Sequence, residues 1–214
     1  MPDLAEIFLM EQGLKTSDRK MSNMYVICGC NGAGKTTASY TILPETLQCA
    51  EFVNADEIAK GLSPFNPESV TIAAGRLMMA RVRKLLSMNE DFALETTLAT
   101  RTVQKIIVDA KSRNYEVSLL YFWLNSPELA LMRVAERVRN GGHNVEEDVI
   151  RRRYAQGLKN LFGIYCSMVD HFLIIDNSIT PSEIVAEGGP DNLQIYNHNK
   201  YQIMQNYEKN KNQC

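Results

Sequence analysis

The sequence lacks the features that would place it at a membrane, on nucleic acid or outside the cell. No apolar run approaches the length of a membrane span, and the formal net charge of −2 gives no basic field. A basic segment followed by an apolar one, as in a secretory signal, is missing around Asp3 and Glu6. We therefore expect a cytoplasmic protein with no membrane partner and no nucleic-acid partner.

Cysteine is scarce and irregularly spaced. The five cysteines stand at positions 28, 30, 49, 166 and 214. An odd number without a repeating spacing argues against a disulfide framework. Cys28 and Cys30 form a C-x-C pair, but no second cysteine or histidine pair stands nearby, so we do not interpret the pair as a metal site.

Short apolar segments alternate with helical patterns along the chain. The predicted strands are 24–28, 51–53, 92–95, 117–123 and 171–175. The predicted helices are 35–42, 67–88, 102–113, 127–139 and 146–163. This alternation is typical of βαβ units, so we predict a three-layer α/β/α fold with a five- or six-stranded, mainly parallel sheet.

The stretch from Gly29 to Thr36 fits the pattern G-x-x-x-x-G-K-[ST] between a predicted strand and a predicted helix. In such a P-loop, glycines turn backbone N–H groups towards phosphate, the lysine reaches the β- and γ-phosphates, and the hydroxyl holds Mg²⁺. Lys35 and Thr36 take these two roles here. The predicted nucleotide-binding residues are Gly29, Asn31, Gly32, Ala33, Gly34, Lys35, Thr36 and Thr37.

A P-loop alone does not separate kinases from other nucleotide-binding proteins. An N-K-x-D guanine-reading motif and an ABC signature are both missing from the sequence. One Walker-B-like run precedes Asp176, but Asn177 stands where an ATPase would carry a catalytic glutamate. We therefore interpret Asp176 as the end of the last strand and the start of a turn.

Asp56 follows the second predicted strand, and ligands of open α/β sheets bind at that edge. A carboxylate at this position can accept the proton of an attacking hydroxyl. The alternative role is that of an N-cap for the helix that follows. Position and residue type alone favour the cap.

Two further side chains are expected at the same edge of the sheet. Glu95 and Thr97 end the third predicted strand, where they can bind the water molecules of Mg²⁺ or a polar substrate. Thr97 can instead cap the helix that begins near Arg101.

Arginines are concentrated around a glycine connector, Asn140-Gly141-Gly142-His143-Asn144. They are Arg133, Arg137, Arg139, Arg151, Arg152 and Arg153. This arrangement suits a helical lid, at about 133–153, that folds arginines over a transferring phosphate. The alternative is a pair of solvated helices whose arginines pair with nearby acidic side chains.

In these residues the chain resembles the zeta toxin family of P-loop kinases in its short, free-standing form. The resemblance runs from about 24 to 178. Besides the P-loop it rests on Asn54-Ala55-Asp56, Ala74-Gly75-Arg76-Leu77, Phe92 to Leu98, Glu136-Arg137 and Asp176-Asn177-Ser178.

The resemblance implies a kinase that uses ATP or GTP with Mg²⁺ to phosphorylate the 3′-hydroxyl of UDP-N-acetylglucosamine. It also implies an antitoxin protein as a partner that covers the nucleotide site. In this scheme Asp56 becomes the favoured general base. Lys35 and Arg137 contact phosphate, and Arg76, Glu95 and Thr97 bind the substrate.

Two positions depart from the family pattern. The family usually has Glu-Gly-Thr where this chain has Glu95-Thr96-Thr97. A second phosphate-clamping arginine has no direct counterpart, and among the later three arginines we place Arg152 first.

We expect a lead-in at 1–20, a P-loop kinase domain at 21–189 and a polar tail at 190–214 that forms either a terminal helix or a frayed segment. The leading hypothesis is phosphoryl transfer to a small metabolite, with UDP-N-acetylglucosamine as the first acceptor. The alternatives are a kinase of another nucleotide, nucleoside or sugar, and a regulatory P-loop ATPase that acts through a protein partner.

Overall fold

A computed structural model describes residues 21–142 and 144–207 of the chain. The predicted lead-in at 1–20, His143 of the connector and the last seven residues of the tail lie outside these ranges. Within the described part, the fold is a three-layer α/β/α arrangement around one sheet, as the sequence predicted.

The sheet has seven strands in the order β2-β3-β1-β4-β5-β6-β7. They are β1 (Ser22–Cys28), β2 (Phe52–Val53), β3 (Phe92–Thr96), β4 (Tyr115–Trp123), β5 (His171–Asp176), β6 (Glu183–Gly188) and β7 (Leu193–Ile195). The first five run parallel, while β6 and β7 each pair antiparallel with the preceding strand.

The strand number differs from the five or six that the sequence predicted. The unrecognised strands, β6 and β7, form the antiparallel edge. β6 contains two charged residues, Glu183 and Glu187. β7 is only three residues long, and two of its positions are exposed. Neither has the continuous apolar run that marks the inner strands, where parallel pairing buries both faces.

Seven α-helices surround the sheet in the described residues. They are α1 (Lys35–Thr41), α2 (Ala55–Leu62), α3 (Thr71–Met88), α4 (Thr102–Ser112), α5 (Pro127–Arg139), α6 (Glu147–Asn160) and α7 (His198–Gln205). π-helical turns extend α1 to Thr46 and α6 to Tyr165, and a 3₁₀ turn at Pro67–Val70 precedes α3. None of the described helices is long and apolar enough to cross a membrane.

The core lies along the two central strands. Every residue of β1 from Met24 to Cys28 is buried, and so is all but one residue of β4. The sheet is therefore covered on both faces, and its polar residues collect at the strand ends. The carboxyl ends of β1, β2 and β3 carry the P-loop, Asn54 and Glu95.

The segment that we expected as a polar tail contains ordered elements. β7 pairs with β6, and α7 buries Tyr201 and Met204. Asn197 caps α7, since its side chain accepts a hydrogen bond from the backbone N–H of Lys200 at 3.1 Å. A terminal helix, one of the two alternatives for this segment, is therefore present at His198–Gln205.

Candidate active site

The P-loop connects β1 to α1, as its motif predicted. Gly29 has a φ of 140° and Gly34 a φ of 82°, both in the region that favours glycine. A Cβ atom at Gly34 would also lie 2.5 Å from Asn177 Nδ2, so a side chain at this position would displace Asn177. The loop is closed by a hydrogen bond of 3.2 Å from Ala33 N to Cys30 O.

The Glu95 carboxylate joins three side chains at the base of the loop. Glu95 Oε2 accepts hydrogen bonds of 2.8 Å from both Thr36 Oγ1 and Asn54 Nδ2. Its other oxygen lies 3.5 Å from Lys35 Nζ, which also donates to Cys30 O at 3.0 Å. Lys35 and Glu95 are both largely buried, with 7% and 10% of their side chains exposed. Little water therefore screens the attraction between them.

The position of Glu95 follows from strand order. β3 is the parallel neighbour of β1, and their register sets Glu95 beside Ile27, two residues before Gly29. The sequence alone allows Glu95 to bind either the water molecules of a metal ion or a polar substrate. Its contacts with Lys35 and Thr36 favour the first of these roles.

Thr36 and Glu95 are suited to Mg²⁺. Magnesium in phosphate-transfer sites is usually held by one or two protein oxygens together with phosphates and water. A hydroxyl and a carboxylate 2.8 Å apart beside the P-loop supply that donor set. The described residues contain no cluster of three or more His, Cys, Asp or Glu side chains, so a site built from protein ligands alone is not indicated there.

Asp56 is not the N-cap of α2. Asn54 holds that position, because its Oδ1 accepts hydrogen bonds from Asp56 N at 2.8 Å and Glu57 N at 3.3 Å. The capping alternative for Asp56 was therefore wrong, and Asp56 is one of the residues that line the cleft next to the P-loop. Thr97 is likewise no cap, since α4 begins at Thr102 without a side-chain cap.

The cleft has a volume of about 270 Å³ and lies at the carboxyl ends of β1, β2 and β3. Its walls combine the P-loop, the start of α2, the middle of α3 and the end of β3. The polar lining residues are Asn31, Lys35, Asn54, Asp56, Glu95, Thr96, Thr97, Thr100, Thr102 and Arg153. Of the predicted substrate residues, Glu95 and Thr97 line this space, whereas Arg76 is exposed and its neighbour Gly75 lines the cleft instead.

Arg153, which we ranked below Arg152, is the arginine that lines the cleft. Its Nη1 donates a hydrogen bond of 3.0 Å to Asn31 Oδ1 in the P-loop. Burial lowers the pKa of the Arg153 guanidinium, and the negative charge of Asp56 acts in the opposite direction. Arg152 is exposed, because successive helical residues point about 100° apart.

The other arginines of the predicted lid have separate environments. Arg151 pairs with Glu128 at 2.6 Å and Glu147 at 2.8 Å, which agrees with the solvated alternative for this residue. Arg133 Nη2 donates to Ser178 O at 3.2 Å. The Arg137 carbonyl accepts a hydrogen bond of 2.8 Å from Gly142 N, so Arg137 packs against the glycine connector at the end of α5.

The turn interpretation of Asp176 is confirmed. Asp176 ends β5, and its Oδ1 accepts hydrogen bonds from the backbone N–H and hydroxyl of Ser178. Its Oδ2 lies 2.6 Å from Lys200 Nζ. Burial alone would raise the pKa of Asp176, but hydrogen bonds from Lys200 and Ser178 hold it below its usual value.

Sequence reasoning missed Asn54 and Asn177 as parts of this site. Asn54 had a local signal, because an asparagine three residues before Glu57 is a typical start of a helix. Asn177 Nδ2 donates to Ala33 O at 2.8 Å across a separation of 144 residues. No local pattern announces that contact.

Fold and site together define a P-loop protein with a kinase-like α/β/α fold. Residues 24–161 match the family described as an AAA domain, and the chain belongs to that family. An uncharacterized protein of Haemophilus influenzae is 32% identical over 127 residues, which are 59% of this chain and 89% of that protein.

Several solved structures share the fold. One, from the PezAT chromosomal toxin–antitoxin system of Streptococcus pneumoniae, has a TM-score of 0.61 at 18% identity and covers 98% of this chain and 93% of its own. A chain of the AvrRxo1-ORF1:-ORF2 complex with ATP has a TM-score of 0.68 at 16% identity. That match covers 88% of this chain but only 64% of the other. A putative kinase of Chloroflexus aurantiacus has a TM-score of 0.52 at 14% identity, covering 63% of this chain and 80% of its own.

Proposed function

We propose that the protein is a zeta toxin-like kinase that transfers the γ-phosphoryl group of ATP or GTP to a hydroxyl of a small metabolite. The observation that carries the proposal is that Asp56 lines the same cleft as the P-loop lysine. Because Asn54 caps α2, the Asp56 carboxylate has no capping role and is available to the cleft.

The nucleotide half of the site is assigned to the P-loop. Its backbone N–H groups and Lys35 bind the β- and γ-phosphates. Arg153, anchored to the loop through Asn31, supplies a second cation that stabilises the charge on the transferring group. Mg²⁺ bound by Thr36 and Glu95 would neutralise phosphate charge.

The acceptor half is assigned to Asp56 and Thr97. Asp56 accepts the proton of the acceptor hydroxyl while the oxygen of that hydroxyl forms a bond to the γ-phosphorus. The bond from that phosphorus to the β–γ bridging oxygen breaks, and the nucleoside diphosphate leaves with the electron pair. Thr97, at the cleft wall, orients the acceptor by hydrogen bonding.

The acceptor that we place first is UDP-N-acetylglucosamine at its 3′-hydroxyl. Support comes from the Asn54-Ala55-Asp56 and Glu95-Thr96-Thr97-Leu98 sequences of the resemblance and from a fold shared with the PezAT toxin–antitoxin structure. The same comparison supports an antitoxin protein as a partner, and we place the protein in the cytoplasm, where such an acceptor is made.

A regulatory ATPase is a weaker explanation of the site. Its Walker-B-like residue, Asp176, is engaged by Lys200 and Ser178.

The test is mass spectrometry of a metabolite extract incubated with protein, Mg²⁺ and ATP, with UDP-N-acetylglucosamine assayed alone in parallel. We expect a species heavier by one phosphate with the wild type and at least about a hundredfold less of it with Asp56→Asn. A phosphorylated product other than UDP-N-acetylglucosamine phosphate would retain the kinase and replace the acceptor. ATP hydrolysis without any phosphorylated product would contradict the proposal.

A further inference from the structure

The turn Asp176–Ser178 braces the nucleotide site from outside the cleft at two points. Asn177 Nδ2 donates to the P-loop carbonyl of Ala33 at 2.8 Å. Ser178 O accepts from Arg133 on α5, and α5 packs directly on the P-loop, since a Cβ at Gly32 would lie 3.3 Å from Arg133 Cβ. Displacement of this turn would therefore loosen the P-loop itself.

A buried carboxylate holds the turn in shape. Asp176 is only 2% exposed, and its Oδ1 accepts two hydrogen bonds from Ser178. A carboxylate buried this deeply stays ionised only beside a compensating charge. Lys200 Nζ, 2.6 Å from Asp176 Oδ2, supplies that charge from α7.

The ammonium group of Lys200 is held by a second carboxylate besides that of Asp176. This group also donates to Glu183 Oε2 at 2.6 Å, and Asn197 Nδ2 donates to the other oxygen of Glu183 at 2.7 Å. α7 is held on α6's extension by an edge-to-face contact between Tyr201 and Phe162, with ring centroids 5.4 Å apart. All of α7 lies beyond residues 24–161, the part that matches the family.

We propose that Lys200 is a positioning residue for the nucleotide site, an inference that rests on the proposed function. By pairing with Asp176 it holds the turn in which Asn177 supports Ala33 and Ser178 supports Arg133. The C-terminal helix thus contributes to ATP affinity without contacting ATP. Neutralising Lys200 weakens ATP binding through Asn177.

A double-mutant cycle on ATP affinity tests this coupling. Isothermal titration with Mg²⁺ and ATP is applied to the wild type, Lys200→Met, Asn177→Ala and the double variant. We expect roughly tenfold weaker binding for Asn177→Ala and roughly fivefold for Lys200→Met, the scale of one coupled hydrogen bond. If Lys200 acts through Asn177, the double variant binds about as weakly as Asn177→Ala alone.

Lys111→Met is the matched control. Lys111 also pairs with an aspartate, Asp170, at 2.8 Å. This pair lies beside the amino end of β5, whereas the nucleotide site lies at the carboxyl ends of the strands. The Lys111→Met variant should be less stable than the wild type and should keep wild-type ATP affinity. Wild-type ATP affinity in a folded Lys200→Met protein would overturn the role of Lys200 without affecting the proposed kinase function. The same holds if the losses of ATP affinity in the two single variants simply multiply in the double variant. A wild type that fails to bind ATP would overturn the proposed function as well.

Hydrogen exchange on the unmodified protein tests the same coupling if Lys200→Met does not fold. Linkage is reciprocal, so ATP binding must stabilise the element that supports its site. We expect the amides of α7 to exchange more slowly when Mg²⁺ and ATP are added, with little change around Asp109–Asn114. Unchanged exchange in α7 at saturating ATP would overturn the proposal.

Discussion

The hydroxyl of Thr36 donates a 2.8 Å hydrogen bond to Glu95, 59 residues further along the chain. This contact joins the P-loop to the end of the neighbouring strand β3. Because Glu95 also accepts from Asn54, the same carboxylate connects the phosphate-binding loop to the helix that carries Asp56. The two halves of the proposed kinase site are thus linked through one side chain.

Lys35→Ala should remove most phosphoryl transfer and leave the fold intact. Lys35 is the P-loop cation, and loss of an electrostatic contact to the transition state commonly costs about a hundredfold or more in rate. Lys84→Ala, on the exposed surface of α3, is the matched control and should be as active as the wild type. The measurement is kcat for phosphorylated product. Unchanged turnover in folded Lys35→Ala would rule out the P-loop assignment.

Asn54→Ala should destabilise the protein and reduce activity together. The substitution removes the N-cap of α2 and the hydrogen bond to Glu95, and loss of a cap alone costs about 1 kcal/mol in the free energy of unfolding. Urea unfolding and kinetics on one preparation measure both effects. Asn54→Asp keeps the cap but sets a second carboxylate against Glu95, so it should regain stability more than activity. Equal recovery of both would contradict this division.

Arg153→Ala should lower kcat sharply, whereas Arg152→Ala should not. Arg153 contacts the P-loop residue Asn31, while the adjacent Arg152 is exposed. The two arginines therefore differ mainly in the direction in which their side chains leave α6. A phosphate clamp stabilises charge that develops in the transition state and should change kcat by about tenfold or more, with little effect on nucleotide Kd. Arg137→Ala, measured beside them, tests the arginine that the family resemblance ranks first. If Arg152→Ala were the slow variant, a different arrangement of α6 during turnover would be required.

The pair of Asp176 and Lys200 should make stability depend on pH in acid. Hydrogen bonding lowers the folded-state pKa of Asp176, so its contribution is present above the unfolded pKa, about 4, and is lost as pH falls through the folded value. Lys200→Met should therefore cost about 2 kcal/mol at pH 7 and less near pH 3. Urea unfolding at the two pH values measures this difference. A cost that does not change with pH would contradict it.

Local spacing was enough to predict the P-loop, the inner parallel strands and the position of Asp56. Each depends on residues within one strand and the turn that follows it. The role of Glu95 depended on which strand lies beside β1, and the sequence pattern does not state strand order. The choice between Arg152 and Arg153 depended on the rotation of α6 relative to the cleft.

Contacts between distant parts of the chain were beyond sequence reasoning. Asn177 and Ala33 are far apart in sequence, and nothing in either neighbourhood marks the other. For the tail after residue 190 the sequence allowed a terminal helix or a frayed segment, because a helix with only Tyr201 and Met204 buried shows little periodicity. Asn54 is a different case, since the Asn54-to-Glu57 spacing is a local signal for a helix N-cap.

Comparison of Asp56→Asn with the wild type bears directly on whether this protein is a kinase with Asp56 as its base. Since Asn54 caps α2, the substitution should leave the free energy of unfolding and ATP affinity close to wild type. The measurement is transfer of labelled γ-phosphate from ATP to metabolites of a cell extract. We predict labelled product with the wild type and a loss of about a hundredfold or more with Asp56→Asn. Near-normal transfer by a folded, ATP-binding Asp56→Asn protein would contradict the assignment.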